Sequence, residues 1–349
     1  DLSRTKVTGV GLEHLAGLSE LHELRLDETH LDDAGAKQVA KLKHVEKLNI
    51  SHSKITDAGL RALAGLKSLR SLDVHHTNIT DAGLNELAGL TNLQLLHVDH
   101  TKITDAGLKA AAKLKNLRAL RLGGTEVTDA GLKELAGLSN LEMLSLYWTK
   151  TTEAGLKELA GLKNLHTLTW NTPSEKITDE TLKELAKITS LRGLNLRNAK
   201  ITDVGMKELA RMQELRSLEL SYTKITDAGL KELAGSKNLE SLSLYGVGIT
   251  DAGLPVLGKL TNLRTLDLRY TKVTDDGLKG LAGLKLKELL ILQGSDLALQ
   301  HYLAAIEPPT VLNLDQWPKT DAGLKELAKL TTLRTLSFRY AKEMTSAGP

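Results

Sequence analysis

A repeat of about 24 residues is the feature of this sequence that most limits what the chain can fold into. Each segment begins one such period after the last, except for one longer step, from Leu165 to Leu191, and two slightly shorter ones around Leu286. The fourteen segments begin at Leu21, Val45, Leu69, Leu93, Leu117, Leu141, Leu165, Leu191, Leu215, Leu239, Leu263, Leu286, Pro309 and Leu333. A period this constant predicts a single solenoid domain of stacked turns over residues 1–349, rather than separate globular domains.

Each repeat reads as one short strand followed by one short helix, as in "LRSLDVHHTNITDAGLNELAGLTN" (69–92). The first half alternates, as a strand with one buried face does. Thr80 then suits a helix N-cap, Asp81 suits the positive end of the helix dipole, and leucines recur at helical spacing as far as Gly89. Neither element buries its apolar face alone, so stacked turns share a leucine core. Parallel strands are expected on the inner, concave face and helices on the outer face.

This pattern resembles the leucine-rich repeat family over essentially the whole chain. The "ITDAGLKELAGL" half is similar to the cysteine-containing class, which is known from substrate-receptor subunits of ubiquitin ligases. That class has cysteine at the positions held here by Thr77, Thr101, Thr125, Leu66 and Leu90. The near-identical, cysteine-free turns look more like bacterial members of the family, or engineered consensus repeats. The resemblance implies a right-handed α/β horseshoe of about 14–15 turns, and an interaction surface whose ligand it does not name.

Composition and missing motifs exclude several classes of function. The formal net charge is +3 without a Lys/Arg run, which argues against nucleic-acid binding. There is no cysteine, so disulfides, thiolate zinc sites and cysteine nucleophiles are excluded. No apolar run reaches membrane-spanning length, and no signal peptide is expected. No H-E-x-x-H, Walker-type loop or G-x-S-x-G occurs, so the sequence predicts no enzyme and no cofactor. It leaves the compartment undetermined.

The pentapeptides "DVHHT" and "HVDHT", which lie one repeat apart, place titratable side chains on neighbouring strands. In the pattern L1-x2-x3-L4-x5-L6-x7-x8, positions 3, 5 and 7 point to the exposed concave face and position 8 lies on its rim. Asp73 and His97 both occupy position 5, and His75 and Asp99 both occupy position 7. Each pair is therefore predicted to lie roughly 5 Å apart, exposed and outside the leucine core. The rim column beside them consists of His52, His76 and His100.

Three interpretations of this cluster stay open. Asp73, His75, His97, Asp99 and His100 suit a divalent metal site, since imidazole and carboxylate are ligands of zinc and its neighbours. They also suit a surface that faces a ligand. The plainest interpretation is that opposite charges on adjacent strands stabilise each other, by up to about 1 kcal/mol per pair. Catalysis is not favoured, because an open concave sheet provides little desolvation.

Aromatic residues and arginines dominate positions 7 and 8 later in the chain. These positions hold Tyr147, Trp148, Arg197, Tyr222, Tyr245, Arg269, Tyr270, Arg339 and Tyr340. Core packing does not explain them, because the core positions are almost uniformly leucine. Tyr, Trp and Arg are typical anchors of protein interfaces. Carbohydrate stacking on the tyrosines is an equally physical use of the same surface.

Two turns depart from the repeat, over residues 165–190 and 286–318. In the first, Trp170 replaces an inward leucine, and "NTPSEK" (171–176) adds two residues, either as part of a binding face or as a tolerated loop. Neither end of the chain shows a polar capping repeat. We therefore expect a fragment of a longer protein or an end-to-end homodimer.

The second departure contains a predicted longer helix and exposed apolar residues. "DLALQHYLAAI" (296–306) has the length for that helix, and Pro308–Pro309 would end it. The apolar residues at exposed strand positions are Leu290, Leu292 and Val311. They predict either a contact patch or a covering segment.

The sequence therefore predicts a non-enzymatic scaffold that binds a protein or peptide on its concave sheet and on the rim formed by the ascending loops. The predicted ligand-binding residues are His75, His97, Asp99, Tyr147, Trp148, Arg197, Tyr222, Tyr245, Arg269 and Tyr270. One alternative is a metal-binding or metal-dependent site in the cluster at residues 73–100. The other is a structural or engineered repeat scaffold without a natural ligand.

Overall fold

The structure, a computed structural model, describes residues 1–170, 177–292, 295–314 and 321–337. It divides into two compact units, Asp1–Pro173 with Lys187–Leu191, and Ser174–Ala186 with Arg192–Pro349. Each unit is a stack of strand–helix turns, which confirms the predicted α/β solenoid. A single domain over residues 1–349 stays a prediction.

Among the described residues of the first unit, seven short parallel strands form a sheet in sequence order. They are β1 Glu23–Arg25, β2 Lys47–Asn49, β3 Ser71–Asp73, β4 Leu95–His97, β5 Ala119–Arg121, β6 Met143–Ser145 and β7 Thr167–Thr169. Equivalent residues of neighbouring repeats lie opposite each other, so Leu72 pairs with Leu96 and Asp73 with His97. The helices are α1 Asp33–Val39, α2 Asp57–Leu63, α3 Asp81–Glu86, α4 Asp105–Ala111, α5 Asp129–Glu134 and α6 Glu153–Leu156. Short 3₁₀ helices span Gly9–Leu15, Leu87–Gly89, Leu135–Gly137 and Lys157–Leu159.

The second unit continues the same pattern and then becomes irregular. Its helices are α7 Asp179–Leu185, α8 Asp203–Leu209, α9 Asp227–Glu232, α10 Leu254–Leu257, α11 Asp296–Ala305 and α12 Asp321–Leu327. Five consecutive strands pair in parallel: β8 Gly193–Asn195, β9 Ser217–Glu219, β10 Ser241–Ser243, β11 Thr265–Asp267 and β12 Glu288–Leu290. A separate parallel pair consists of β13 Val311–Asn313 and β14 Thr335–Ser337. Short 3₁₀ helices span Leu233–Gly235, Asp251–Gly253 and Gly277–Leu281. The ten residues of α11 confirm the predicted longer helix.

The core of each turn consists of the inward leucines of the repeat. Leu72, Leu84, Leu87 and Leu90 are all fully buried, as the alternation in the strand and the helical spacing predict. Trp170 is also buried, which confirms its inward position. Its indole N–H donates to the hydroxyl of buried Thr151 (3.0 Å), which stands where most turns have isoleucine or valine. The two departures from the repeat are therefore matched to each other.

In most turns, an aspartate at the start of the helical segment ties that turn to the next one. Asp81, for example, accepts hydrogen bonds from the backbone N–H (2.8 Å) and the hydroxyl (2.6 Å) of Thr104. The other pairs are Asp33–Thr56, Asp57–Thr80, Asp105–Thr128, Asp129–Thr152, Asp179–Thr202, Asp203–Thr226, Asp227–Thr250 and Asp251–Thr274. A Cβ on Gly107 would lie 2.4 Å from Asp81 Oδ1, so the glycine of "TDAG" makes room for this contact.

Candidate ligand-binding surfaces

The backbone at position 8 is left-handed in most of the repeats. Its φ is between 51° and 60° at Glu28, His52, His76, His100, Trp148, Asn198, Tyr222 and Tyr270, and it is 64° and 67° at Gly124 and Gly246. The residue that follows fixes this turn: Thr77, for example, is buried and donates its hydroxyl to Val74 O (2.6 Å). Threonine thus performs a hydrogen-bonding role at one of the positions where the cysteine-containing class has cysteine. Side chains at position 8 are carried outward by this turn.

In the first unit, two carboxylates and two imidazoles form a chain of hydrogen bonds that we term the His–Asp network. Asp73 lies between two histidines, with its Oδ1 2.6 Å from His75 Nδ1 and its Oδ2 3.0 Å from His97 Nδ1. His97 Nε2 in turn lies 2.8 Å from Asp99 Oδ2. The strand register sets Asp73 opposite His97, which confirms the predicted proximity of these two residues. The predicted proximity of His75 and Asp99 stays a prediction.

Asp99 ends the network and is held by donors from later turns. The backbone N–H of Gly123 donates to Asp99 Oδ1 (2.6 Å), and the hydroxyl of Tyr147 donates to Asp99 Oδ2 (2.9 Å). Tyr147 belongs to the second repeat after Asp99, and its ring crosses the intervening turn over Gly123. A Cβ on Gly123 would lie 2.1 Å from Tyr147 Cε1. The missing side chain of Gly123 is therefore what allows Tyr147 to reach Asp99.

The network is partly buried, which corrects the prediction that all its members are exposed. His97 is 8% exposed and Asp99 only 2%. The ring of His75 stacks on that of His97 at a centroid distance of 4.4 Å, and Tyr147 bonds to Asp99. A sequence pattern assigns each side chain to a face of the sheet, but it does not show that neighbours on that face cover one another.

The electrostatics of the network favour one positive charge between two negative ones. Burial lowers the pKa of His97, but hydrogen bonds to Asp73 and Asp99 outweigh it and raise that pKa to about 9. Burial raises the pKa values of Asp73 and Asp99, but the hydrogen bonds to His97 outweigh it and keep both pKa values below the usual 3.8. Burial and the bond to Asp99 raise the pKa of Tyr147 to about 12. At neutral pH His97 is thus an imidazolium that donates from both ring nitrogens.

A row of stacked rings on the rim borders the network. His52 and His76 stack at a centroid distance of 4.4 Å, and His76 and His100 stack at 4.2 Å. Burial and the neighbouring histidines lower the pKa of His76, so the imidazole at the centre of this row is neutral at physiological pH. Trp148 meets His100 edge-on at 5.9 Å, and 64% of its surface is exposed.

In the second unit, three tyrosines and two arginines form a surface that we term the tyrosine patch. The ring centroids of Tyr222 and Tyr245 are 5.2 Å apart, and those of Tyr245 and Tyr270 are 4.8 Å apart. Hydrogen bonding to Tyr222, with burial, raises the pKa of Tyr245 to about 12. The guanidinium of Arg197 lies 5.2 Å from the centroid of the Tyr222 ring, and that of Arg269 lies 5.3 Å from the Tyr245 ring.

The two arginines of the tyrosine patch differ in their charge balance. Arg269 forms a two-point bond with Asp267, at 3.0 Å and 2.7 Å, so its charge is neutralised within the protein. Arg197 is exposed, and the described residues provide no ion pair for it. Tyr222 and Tyr270 are 46% and 59% exposed. The patch therefore combines accessible rings with one accessible cation.

The ten predicted ligand-binding residues thus fall into two groups, one in each unit. Their contact with a ligand stays a prediction. Arg339, Tyr340 and the insertion at 171–176 lie outside the described residues. Leu292 and Val311 are exposed, as predicted, whereas Leu290 is half-buried. The sequence did not indicate the role of Gly123; two consecutive glycines at positions 7 and 8 of one turn were the available signal.

One group of side chains has the composition of a metal site. Within the described residues, Asp73, His75 and His97 each offer a ligand atom, and these atoms lie within 4.8 Å of one another. His100, which the sequence also suggested for such a site, is instead directed toward Tyr147, with 3.4 Å between His100 Nε2 and the tyrosine oxygen. None of the described helices combines the length and the apolar character needed to cross a membrane.

The stacked turns, the leucine core and the exposed strand face define a leucine-rich-repeat solenoid. A family model described as "Leucine-rich repeat region" matches residues 1–228 and 57–276, and the chain belongs to this family. No curated protein matches the chain. An internalin from Listeria monocytogenes has a similar structure, with a TM-score of 0.60, 22% identity, and coverage of 96% of this chain and 95% of the internalin chain. A TDR receptor is also similar, with a TM-score of 0.54, 15% identity, and coverage of 97% of this chain and 63% of that chain.

Proposed function

We propose that this protein is a non-enzymatic binding module for a protein or peptide. The ligand would contact the exposed strand face and the rim, at the rings around Trp148 in the first unit and at the tyrosine patch in the second. One observation carries the proposal: large aromatic side chains occupy a backbone position that disfavours them.

The energetic argument rests on the left-handed conformation of position 8. A residue with a Cβ is disfavoured there by about 1–2 kcal/mol relative to glycine. Equivalent turns have Gly124, Gly246 and Asn198, the residue types that this conformation suits. Trp148 and Tyr270 are more than half exposed, so the folded chain gains little burial from their rings. A side chain that opposes stability and is not needed for packing supports a role in binding.

The chemistry of the two surfaces agrees with this proposal. Trp, Tyr and Arg are enriched where interfaces concentrate their binding energy. A TDR receptor, by its name a receptor, has a similar fold. We infer no catalytic role for the His–Asp network, because both ring nitrogens of His97 bond to carboxylates and neither is left to accept a proton from a substrate.

Replacement of the rings by glycine tests the proposal without straining the backbone. A random-peptide library and a glycan array are first screened against the wild-type chain. The affinities of the selected peptides are then measured for the variant Trp148→Gly and for the double variant Tyr222→Gly with Tyr270→Gly. We expect losses of affinity of about 30-fold or more at the surface concerned, with no fall in the melting temperature.

The matched control is Asn198→Gly, which changes a left-handed residue of the same rim without removing a ring. Its affinity should equal that of the wild type. Undiminished binding by both ring variants would refute the proposal. Selection of glycans alone would favour the carbohydrate alternative, and a chain that selects neither class would favour a scaffold without a ligand.

A further inference from the structure

The His–Asp network brings together the donor set of a transition-metal site. Asp73 contributes a carboxylate, and His75 and His97 each turn Nδ1 toward it, at 2.6 Å and 3.0 Å. The two imidazole planes are inclined by only 13°, with centroids 4.4 Å apart, so both nitrogens face the same carboxylate. Two imidazoles and one carboxylate suit Zn²⁺ and neighbouring divalent ions.

A second observation points independently to a metal rather than to an ordinary charge pair. His97 presents its other nitrogen, Nε2, to Asp99 at 2.8 Å, and Asp99 is 2% exposed. A histidine that ligates through one nitrogen commonly donates the other N–H to a carboxylate, which fixes the ring. Asp99 is itself fixed by Gly123 N–H and Tyr147 Oη. Simple pairing across two strands does not require this buried support.

We propose that Asp73, His75 and His97 bind one divalent transition-metal ion, with Zn²⁺ as the representative, and that Asp99 is a positioning residue for His97. On binding, the metal would displace the Nδ1 proton of His97 to solvent and take the place of the positive charge that now separates the two carboxylates. The side chain of His75 is 22% exposed, so the site opens toward the strand face, where water supplies the remaining ligand. This inference does not depend on the proposed binding of a protein or peptide.

Calorimetric titration of tag-free, chelator-treated protein with ZnCl₂ tests the site. We expect one bound ion per chain and a rise in melting temperature on saturation. His75→Ala should abolish saturable binding; because His75 is part-exposed, this variant should fold, and its melting temperature in chelator checks that it does. The control is His76→Ala, which removes the adjacent exposed imidazole and should leave the affinity unchanged.

A second pair of variants separates positioning from folding. Tyr147→Phe removes only the hydroxyl that holds Asp99, and Asp99→Asn removes the carboxylate charge; each should weaken Zn²⁺ binding by about 10- to 100-fold. Tyr147→Phe leaves both imidazoles and both carboxylates in place, and its melting temperature in chelator checks that it still folds. The proposal is overturned if the wild type binds no Zn²⁺. It is also overturned if His76→Ala removes binding while His75→Ala retains it, since the ion would then sit on the rim histidines.

Discussion

The His–Asp network makes stability depend on pH in a direction that the structure fixes. The pKa of His97 is raised from 6.5 to about 9 in the folded state, so the folded chain binds this proton more tightly than the unfolded chain does. The resulting stability is complete below about pH 6.5 and is lost as the pH rises through about 9. Asp73 and Asp99 have lowered pKa values, so the stability that these carboxylates contribute is present above the usual 3.8 and is lost on acidification below it.

The size of the effect follows from the same pKa. Each pH unit between 6.5 and about 9 corresponds to about 1.4 kcal/mol, which gives about 3 kcal/mol in all. The side chain of His97 is only 10% exposed, so solvent screens little of this energy. The hydroxyl of Tyr147 has a pKa of about 12 and stays protonated over this range, so its bond to Asp99 does not contribute to the loss.

Urea unfolding of metal-free protein at about pH 6 and at about pH 10 measures this prediction. Between the two conditions, the free energy of unfolding of the wild type should fall by about 3 kcal/mol more than that of His97→Gln. This variant keeps a polar side chain that does not titrate. Other titrating groups are common to both proteins and cancel in the comparison. Equal losses in the two proteins would show that His97 is not held as an imidazolium, and the account of the network given above would be wrong.

Three further predictions test the scaffold. Asp81→Ala removes the acceptor of two hydrogen bonds from Thr104, so the free energy of unfolding in urea should fall by about 2 kcal/mol. Gly107→Ala places alanine in a helix yet should lower the melting temperature, because the new Cβ would lie 2.4 Å from Asp81 Oδ1. Thr151→Val leaves the indole N–H of buried Trp170 without its acceptor and should lower the free energy of unfolding in urea by about 1–3 kcal/mol. The double variant Thr151→Ile with Trp170→Leu restores the repeat and should recover most of this lost stability. An unchanged unfolding midpoint in any single variant contradicts the contact concerned.

The fold was predictable because the repeat states the same local preferences many times. The alternation around Leu72, the N-cap at Thr80 and the spacing of the helix leucines all agree with one another, and the structure places each element there. The constant period of the repeat also set the strand register, and with it the proximity of Asp73 and His97. What sequence patterns provide at a candidate site is therefore the face and the neighbour of each side chain.

The reach and the burial of side chains were not predictable in this way. Tyr147 bonds to Asp99, 48 residues earlier, and no rule about neighbouring strands indicates a contact that crosses a whole turn. The contact depends on an absence, the missing Cβ of Gly123. The burial of His97 likewise follows from the stacking of His75 upon it, which depends on side-chain rotamers rather than on residue order. The "TDAG" contact between turns was hidden for a related reason, since its aspartate also suits a helix N-terminus.

Position 8 shows how an identical scaffold carries two different surfaces. A Cβ on Gly124 would lie 2.4 Å from the ring of His100, and a Cβ on Gly246 would lie 2.7 Å from the ring of Tyr222. In both units, then, a ring on one turn leans over a glycine on the next, and the glycine serves both the left-handed backbone and the neighbouring ring. Asparagine at either glycine would suit the backbone but would fill the space the ring occupies. His100 with Gly124 and Tyr222 with Gly246 are therefore paired features of the rim, because each ring occupies space that only a glycine on the next turn leaves open.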